Sequence, residues 1–300
     1  MNLEYLRIFH AVAETGSVTA GAERLASSQP GISRQLRRLE RNLRTRLFDR
    51  QPRGVKLTEA GELLLGCARR IFAVEAEAQQ VLAELQGLQR GQLRVGASLT
   101  IGAYLLPQAV TAFHRAYPGI QVQVAIANTR EVHERLISGQ LDLALTEGLV
   151  ESELLASVTF AEDELLAIAP PGHRLLSQNK VTAAALCREG LILREEGSGT
   201  RAVIERALAR RHLSVKPIMS LGSTGAIKAA VRCGAGLAIV SGLAVETELR
   251  TGELAHLRIG DLSMRRSLHQ VMVRGQSPSR AAAAFMQLLS QAASAPPPRA

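Results

Sequence analysis

Residues 17–40 read SVTAGAERLASSQPGISRQLRRLE, and this stretch decides how the amino-terminal part of the chain folds. Its pattern is a short helix, a tight turn and a helix rich in arginine. Ser17 and Ser28 are good helix N-caps, because a serine hydroxyl accepts a hydrogen bond from an otherwise unpaired backbone N–H. Pro30 falls in the first turn of the second helix, where its missing N–H costs little. The spacing predicts a helix-turn-helix whose second helix enters the major groove of DNA.

The second helix has one apolar and one basic side. Its buried stripe is predicted to be Ile32, Leu36, Leu39 and Leu43. The outer faces carry Ser33, Arg34, Arg37, Arg38 and Arg41. Cations placed there neutralise phosphates or pair with guanine edges. Upstream, a first helix that packs behind this pair is predicted from Leu3, Leu6, Phe9 and Val12.

A solvated basic helix in an unrelated bundle is the alternative interpretation. Gly21 and Gly31 favour it slightly, since a glycine inside a helix costs up to ~1 kcal/mol. The charge favours DNA binding: residues 1–58 carry eleven Lys and Arg against five Asp and Glu, and so hold +6 of the formal net charge of +9. Because caps, turn, apolar stripe and charge agree, DNA binding is the stronger hypothesis.

A short hairpin is predicted after the recognition helix. Residues 47–50 and 55–57 have strand character, and residues 51–54 (QPRG) supply the turn. Arg50 and Arg53 of this wing would contact the DNA backbone or a minor groove, because the wing adjoins a basic helix. Exposed arginines with no partner are the alternative explanation.

A long helix follows, capped by Thr58, with Glu59 and Glu62 near its positive end. Its apolar positions step by three and four residues, at Leu64, Cys67, Ile71, Val74, Ala78, Val81, Leu85 and Leu88. A strict seven-residue repeat favours a partner helix, so residues 59–90 are predicted to join two copies of the chain as a homodimer. A single amphipathic helix on its own domain is the alternative. Gly87 and Gly91 are expected to end the helix.

Composition limits the possible classes of protein. The hydrophobic fraction is 46%, and the three cysteines show neither metal-ligand nor disulfide spacing. Buried thiols are the simplest interpretation, with a redox sensor as the alternative. The sequence shows no signal-peptide pattern and no apolar run long enough to span a bilayer. We therefore expect a cytoplasmic protein with no membrane partner.

From residue 92 onward, short apolar runs alternate with helical segments. Strands are predicted at 93–97, 121–127, 141–146, 164–169, 191–193, 218–221, 236–240 and 268–274. Helices are predicted at 105–116, 131–138, 201–211, 225–232 and 279–290. This alternation indicates open α/β sheets, behind an amino-terminal domain that is helical apart from its wing.

Common catalytic motifs are missing from the α/β part. Residues 222–228 (GSTGAIK) lack the ending of a phosphate-binding loop, and Ile137 stands where a zinc helix beginning at His133 needs its second histidine. Neither a nucleophile elbow nor a dinucleotide fingerprint occurs. Since no residue can be given a catalytic role, we expect no enzyme, no metal site and no cofactor.

Polar residues instead follow the predicted strands. They cluster in four strand-to-helix turns and comprise Ser98, Thr100, Asn128, Thr129, Glu196, Ser198, Gly199, Thr200 and Ser223. Ligands of open α/β sheets bind beyond the carboxyl ends of strands. Hydroxyls and free N–H groups at helix N-termini favour anions. We therefore predict that these residues bind a small anionic metabolite, although capping its own helix explains any single one equally well.

The whole chain resembles the LysR-type transcriptional regulators. The resemblance rests on residues 17–40, the wing leading into LTEAG at 57–61, the long helix and the α/β part, in that order. It implies a winged helix-turn-helix, a dimerising linker helix and an effector domain of two subdomains like a periplasmic binding protein, with the inducer in the cleft. It also implies a homotetramer built as a dimer of dimers.

Residue by residue, the resemblance implies DNA contacts at Ser28, Gln29, Pro30, Ser33, Arg34, Arg37, Arg50 and Arg53. Chain crossings between the subdomains would lie near 160–165 and 263–268, and the cleft would be lined by Ser98, Thr100, Thr129, Ser198 and Thr200. Gly21 and Gly31 depart from the family, which more often has a better helix former there. The strings GASLTIGAYLLP (96–107) and LREEGSGTR (193–201) are most similar to regulators of carbon-fixation operons and of sulfite or cysteine metabolism.

The expected domains are residues 1–58 for DNA binding, 59–90 for dimerisation and 91–300 for the effector. Within the last, subdomain I would comprise 91–162 and 267–300, and subdomain II 163–266. The expected function is a transcriptional regulator controlled by a small anionic metabolite, with double-stranded DNA, further copies of the chain and RNA polymerase as partners. The rivals are a ligand-independent architectural protein or repressor, and an enzyme fused to a DNA-binding domain.

Overall fold

The computed structural model describes residues 2–51, 54–84 and 91–294. The chain divides into two compact units. The first comprises Met1–Gln79 with Ser138–Gln140, and the second comprises Gln80–Ile137 with Leu141–Ala300. Within the described ranges, none of the helices is both long and apolar enough to cross a membrane.

The first unit begins with three helices, α1 (Leu3–Thr15), α2 (Val18–Arg24) and α3 (Gln29–Leu43). The predicted caps are confirmed: Ala20 N donates to Ser17 Oγ at 3.4 Å, and Gly31 N donates to Ser28 Oγ at 3.3 Å. The predicted helix-turn-helix is therefore present, with its turn between α2 and α3.

The core of this unit contains most of the predicted stripe. Six predicted positions are buried, and these are Leu6, Phe9, Val12, Ile32, Leu36 and Leu39. Leu3 and Leu43 were predicted to be buried but are 50% and 37% exposed, because they lie at the outer ends of their helices, where the packing stops.

Gly21 has a packing role that the sequence analysis missed. A Cβ atom there would lie 2.7 Å from Val12 Cγ2 and 3.1 Å from Val12 Cα. Glycine at this position lets α1 and α2 approach closely, so its propensity cost is offset by contact between the two helices.

The wing is a two-stranded antiparallel sheet of β1 (Phe48–Gln51) and β2 (Gly54–Leu57). Strand β1 begins one residue later than predicted, and Leu47 is buried in the core of the unit. Gly54 has a φ of +109°, which suits glycine at the end of a tight turn. Arg53 lies outside the described residues, and only the backbone of Arg50 is described.

Helix α4 (Glu59–Glu84) begins as predicted at Thr58, whose Oγ1 accepts from Gly61 N at 3.1 Å. Leu65 and Ala68 are buried against the helix-turn-helix core. Two predicted seam residues, Leu64 and Ile71, pack partly on that core, while Cys67, Val74 and Ala78 are exposed. Leu85, Gly87 and Leu88 lie outside the described residues. Gly91 does not end a helix, since it begins a strand.

The second unit alternates strands and helices. Its strands are β3 (Gly91–Ser98), β4 (Ile120–Ala127), β5 (Leu143–Glu147), β6 (Leu155–Ala169), β7 (Leu191–Arg194), β8 (Met219–Leu221), β9 (Leu237–Ser241), β10 (Ala255–His256) and β11 (Arg265–Val273). Its α-helices are α5 (Leu99–Tyr104), α6 (Leu106–Ala116), α7 (Thr129–Ile137), α8 (Ala183–Arg188), α9 (Gly199–Ala209), α10 (Thr224–Arg232), α11 (Glu246–Thr251) and α12 (Arg280–Ser294).

The strands form two parallel groups joined by two long antiparallel strands. The order is β4-β3-β5-β11-β6-β9-β7-β8, with β10 beside β6. Strand β3 is parallel to β4 and β5, and β7 is parallel to β8 and β9. Between the groups, β6 and β11 pair antiparallel, with Asp163 opposite Arg266. Two α/β subdomains therefore meet at these crossing strands, and the predicted fold class is confirmed.

Several elements of this unit differ from the predictions: α8, β10 and α11 were not predicted, and two further differences bear on the ligand cleft. Strand β6 begins at Leu155 rather than at 164, because its first half is largely exposed and so carries no continuous apolar run. Helix α5 was not predicted, since only six residues follow its Ser98 cap. The turn at 98–100 is therefore the N-terminus of a short helix.

Candidate nucleic-acid interface and ligand cleft

A basic groove of about 1080 Å³ runs along the second half of α3. Six arginines line it, and these are Arg34, Arg37, Arg38, Arg41, Arg44 and Arg46. Among the described residues, none of the six forms an ion pair. The one acidic residue in the lining, Glu40, uses its Oε1 to accept from Leu47 N at 2.8 Å and Phe48 N at 3.4 Å. Six cations without carboxylate partners suit a polyanion.

Six of the eight predicted DNA contacts lie on one stretch formed by the N-cap and the first half of α3. Ser28, Gln29, Pro30, Arg34 and Arg37 are exposed, and Ser33 is half-buried. Arg37 Nε donates to Ser33 O at 3.1 Å, which holds the guanidinium along the helix.

Several groove residues were not among the predicted contacts. Arg41 lies in the last turn of α3, and Arg44 and Arg46 extend the basic surface past the end of the helix. Arg38 stacks over the ring of Tyr5 at 5.7 Å, so part of the groove wall comes from α1. The sequence feature that could have identified these residues is the series of arginines that continues beyond Arg37 to residue 46.

The second unit contains a buried polar cluster where its subdomains meet. We call Ser98, Glu147, Asp163, Thr200, Ser241 and Arg266 the cleft cluster. Each of the six is at least nine-tenths buried. Ser98 and Glu147 end strands of the first subdomain, Thr200 and Ser241 belong to the second, and Asp163 and Arg266 lie on the crossing strands. Residues from both subdomains thus share one hydrogen-bond network.

Arg266 is the centre of the cleft cluster. Its Nε lies 2.8 Å and its Nη2 2.7 Å from Asp163 Oδ2, while Nη1 donates to Thr200 Oγ1 at 2.7 Å and lies 3.3 Å from Glu147 Oε1. Ser241 Oγ donates to Asp163 Oδ1 at 3.0 Å. One guanidinium is thus shared by two buried carboxylates. Removing it would leave both charges uncompensated in a region with little water.

Glu147 joins the two strand-to-helix turns of the cleft. Ser98 Oγ donates to Glu147 Oε2, and Thr200 Oγ1 donates to Glu147 Oε1 at 3.3 Å. The carboxylate therefore accepts from one hydroxyl of each subdomain.

The predicted ligand residues fall into three groups. Ser98, Thr129, Gly199 and Thr200 are brought together, since Gly199 N donates to Thr129 Oγ1 at 3.2 Å. Asn128, Ser198 and Ser223 accept from backbone N–H groups in the first turns of α7, α9 and α10, which is the capping role left open above. The Glu196 side chain is 81% exposed and pairs with Arg201 at 3.8 Å.

Thr100 differs from the other buried hydroxyls. It is buried on α5, yet its hydroxyl makes no hydrogen bond to any residue that the structure describes. A hydroxyl with unused hydrogen-bonding capacity on a buried residue is a natural contact for a ligand.

Sequence reasoning missed four members of the cleft cluster, namely Glu147, Asp163, Ser241 and Arg266. For Glu147 the signal was available, because it directly follows a predicted strand, as Ser98 does. Asp163 and Arg266 are 103 residues apart in sequence, and only the pairing of β6 with β11 brings them together.

Two histidines flank the cleft. His133 Nε2 lies 2.9 Å from Thr146 Oγ1, and His269 Nδ1 lies 3.3 Å from Thr159 Oγ1. Burial lowers the pKa of both rings below the usual value, so the neutral forms are favoured near pH 7.

Metal and thiol chemistry have little support. In the described ranges, no group of three His, Cys, Asp or Glu side chains is arranged to hold a metal ion. The prediction of buried thiols is wrong for two of the three cysteines, because Cys67 and Cys233 are exposed and only Cys187 is partly buried. Burial raises the pKa of Cys187, which disfavours a reactive thiolate there.

Two family models match the chain. "Bacterial regulatory helix-turn-helix protein, lysR family" matches residues 3–62, and "LysR substrate binding domain" matches residues 86–294. The chain belongs to the LysR family. It is therefore a DNA-binding transcriptional regulator with a C-terminal substrate-binding domain, as the resemblance predicted.

Similar proteins agree with this assignment. The RuBisCO operon transcriptional regulator of Allochromatium vinosum is 36% identical over 294 residues, which are 98% of this chain and 97% of that protein. This confirms the resemblance to regulators of carbon-fixation operons. The regulatory domain of Synechocystis PCC6803 CcmR, solved in complex with 2-PG, is 28% identical with a TM-score of 0.63, over 68% of this chain and 98% of that one. Full-length CbnR, solved with its target DNA, shares the fold at 24% identity, with a TM-score of 0.67 over 97% of this chain and all of that one.

Proposed function

We propose that this LysR-family regulator controls transcription in response to a small anionic metabolite bound between the two subdomains of its second unit. It acts in the cytoplasm as an oligomer, contacts RNA polymerase, and catalyses no reaction. The observation that carries the proposal is the cleft cluster, in which buried polar groups of both subdomains share one hydrogen-bond network.

The chemistry of the cleft supports an anion. The Thr100 hydroxyl has no hydrogen-bond partner among the described residues, and Ser198, Gly199 and Thr200 form the N-terminus of α9, an 11-residue helix. Such a terminus attracts negative charge. The relative CcmR, solved in complex with 2-PG, supports the same chemistry.

Glu147 competes with a bound anion for the same two hydroxyls. Its carboxylate already accepts from Ser98 and Thr200, one hydroxyl from each subdomain. An anion that uses the same hydroxyls must displace the carboxylate. Displacement breaks a link between the subdomains, so a ligand binds the two arrangements with different affinities and shifts their populations.

The first prediction concerns Thr100→Val, which removes the spare hydroxyl and keeps the side-chain volume. We expect the variant to bind DNA normally and to bind the anion at least tenfold more weakly. Isothermal titration calorimetry of the full-length protein with phosphate, sulfate and 2-PG measures this. Thr111→Val is the control, because Thr111 is exposed on α6 and bonds only Pro107 O, at 2.8 Å.

Two results would count against the ligand proposal. Absence of heat and of thermal stabilisation with all three anions would contradict an anionic ligand. Equal weakening in Thr100→Val and Thr111→Val would place the binding site elsewhere.

The second prediction concerns the oligomer. Leu63 and Val74 of α4 are 70% and 56% exposed, and Cys67 and Ala78 are exposed beside them. An apolar stripe on a 26-residue helix favours pairing with a second copy. We expect Val74→Asp to shift the protein to monomers in sedimentation velocity, and Val74→Ala to remain associated. Unchanged association of Val74→Asp would exclude this face.

A further inference from the structure

A second cavity, of about 390 Å³, lies on the other side of α9 from the Glu196 loop. We call it the arginine cavity; it is lined by Arg206, Arg210, Arg265, Arg266, Ser267 and His269, among others. None of its lining residues is acidic. The cavity of about 530 Å³ between α7 and α9 is different, because its charges are mixed. Four glutamates and two arginines line it, and Arg201 pairs there with Glu205 at 2.7 Å and lies 3.8 Å from Glu196.

Three exposed arginines supply the positive charge of the arginine cavity. Arg206 lies in the last turn of α9, Arg210 is the C-cap residue one turn further on, and Arg265 lies on β11. None of them forms an ion pair or a side-chain hydrogen bond with another described residue, although Arg265 lies opposite Glu164 in the sheet. Like charges one helical turn apart destabilise the helix that carries them. An anion between them would remove this repulsion.

The floor of the arginine cavity leads to the cleft cluster. Arg266 lines the cavity, and its side chain is fully buried. Its Nη2 lies 2.7 Å from Asp163 Oδ2 but does not meet hydrogen-bond geometry with any described residue, whereas Nη1 donates to Thr200. The guanidinium itself therefore belongs to the cleft cluster, beneath the floor of the cavity.

We propose that the arginine cavity is a second ligand site, for a small polyanion that carries two or more phosphate or carboxylate groups. Three arginines around one volume match several negative charges better than one, and the volume falls within the usual range for small-molecule pockets. The proposal goes beyond the proposed function and holds whichever ligand the cleft takes.

Pyrophosphate, compared with orthophosphate, is the probe. Calorimetry of the full-length protein at constant ionic strength is expected to show binding of pyrophosphate at least tenfold tighter than that of orthophosphate. The double variant Arg206→Ala/Arg210→Ala is expected to lose at least tenfold in pyrophosphate affinity. Its control is Arg188→Ala/Arg250→Ala, which removes the same charge from exposed positions at the ends of α8 and α11 and should stay within twofold of the wild type.

Further measurements distinguish the sites that could bind pyrophosphate. Thr100→Val should keep the pyrophosphate affinity of the wild type. If Thr100→Val lost pyrophosphate binding while Arg206→Ala/Arg210→Ala kept it, pyrophosphate would bind in the cleft and the proposal would be wrong. No binding to the wild type, or equal losses in both double variants, would also overturn it. If Arg206→Ala/Arg210→Ala instead weakened DNA binding as much as Arg34→Ala, the cavity would be a DNA contact and the proposal would be wrong.

Discussion

Two sites of this regulator, the basic groove of the first unit and the cleft cluster of the second, use arginine in opposite ways. In the first, six arginines line an open groove and form no ion pairs with described residues. In the second, Arg266 is fully buried, with two carboxylates and a threonine hydroxyl around it. An exposed unpaired cation keeps its attraction for a polyanion and loses little on binding. A buried paired cation contributes no long-range attraction, but it ties together the strands that carry its partners.

This difference assigns DNA affinity to the basic groove and the response to a ligand to the cleft cluster. The groove can bind any duplex through its phosphates, with a strong dependence on salt. The cleft cluster crosses the boundary between two subdomains, so a ligand there meets an element with two possible arrangements. Variants that remove one arginine from each region test this division.

The largest effect is expected for Arg266→Met. Methionine fills much of the space but leaves Asp163 and Glu147 buried without their cation. Breaking a buried ion pair by removing one partner costs about 3–5 kcal/mol of unfolding free energy. Urea denaturation measures the loss, and Arg265→Met, at the exposed neighbouring position, should change stability by less than about 0.5 kcal/mol. Similar small changes in both variants would show that the cleft cluster does not hold the subdomains together.

A smaller effect, on binding instead of folding, is expected for Arg34→Ala. Loss of a base contact should weaken binding to a duplex obtained by in vitro selection by about 1–3 kcal/mol, with unchanged stability. Loss of a phosphate contact would weaken all duplexes alike and lower the salt slope by about one. Arg24→Ala, an exposed position on α2 outside the groove, is the control. Equal affinities of the two variants would remove Arg34 from the interface.

The smallest effect is a dependence of stability on pH. Burial lowers the pKa of His10 in the first unit and of His133, His256 and His269 in the second. The unfolded chain therefore binds more protons than the native one, and unfolding free energy falls as pH drops below about 7, through the ordinary histidine pKa. His133→Gln should flatten this slope, and His114→Gln, exposed on α6, should not. A slope that His133→Gln leaves unchanged would assign the effect to other groups.

The sequence predicted the first unit better than the ligand cleft, for a physical reason. Caps such as Ser17 and Ser28 act within three residues, so local patterns specify the helix-turn-helix. The Asp163–Arg266 pair depends on the register of two strands from distant parts of the chain, and no local pattern encodes that register. Glu147 is an intermediate case. Its position directly after a predicted strand can be read from the sequence, but a carboxylate is not expected to bind an anion, so Glu147 was not predicted as a ligand residue.

Gly21 shows that local sequence patterns are also insufficient at one position of the first unit. Propensity alone marks it as a weak point of the helix, whereas its close approach to Val12 comes from the packing of α1 on α2. A local rule fails there because a tertiary contact decides the residue.

The most direct test of the account is the affinity of the full-length protein for a selected duplex, measured by fluorescence anisotropy with and without an anion already shown by calorimetry to bind. We predict that a saturating anion changes DNA affinity at least fivefold in the wild type, within the range of typical coupling free energies, and leaves Thr100→Val unchanged at the same concentration. Identical DNA affinities with and without the bound anion would contradict the claim that the buried cleft controls the basic groove.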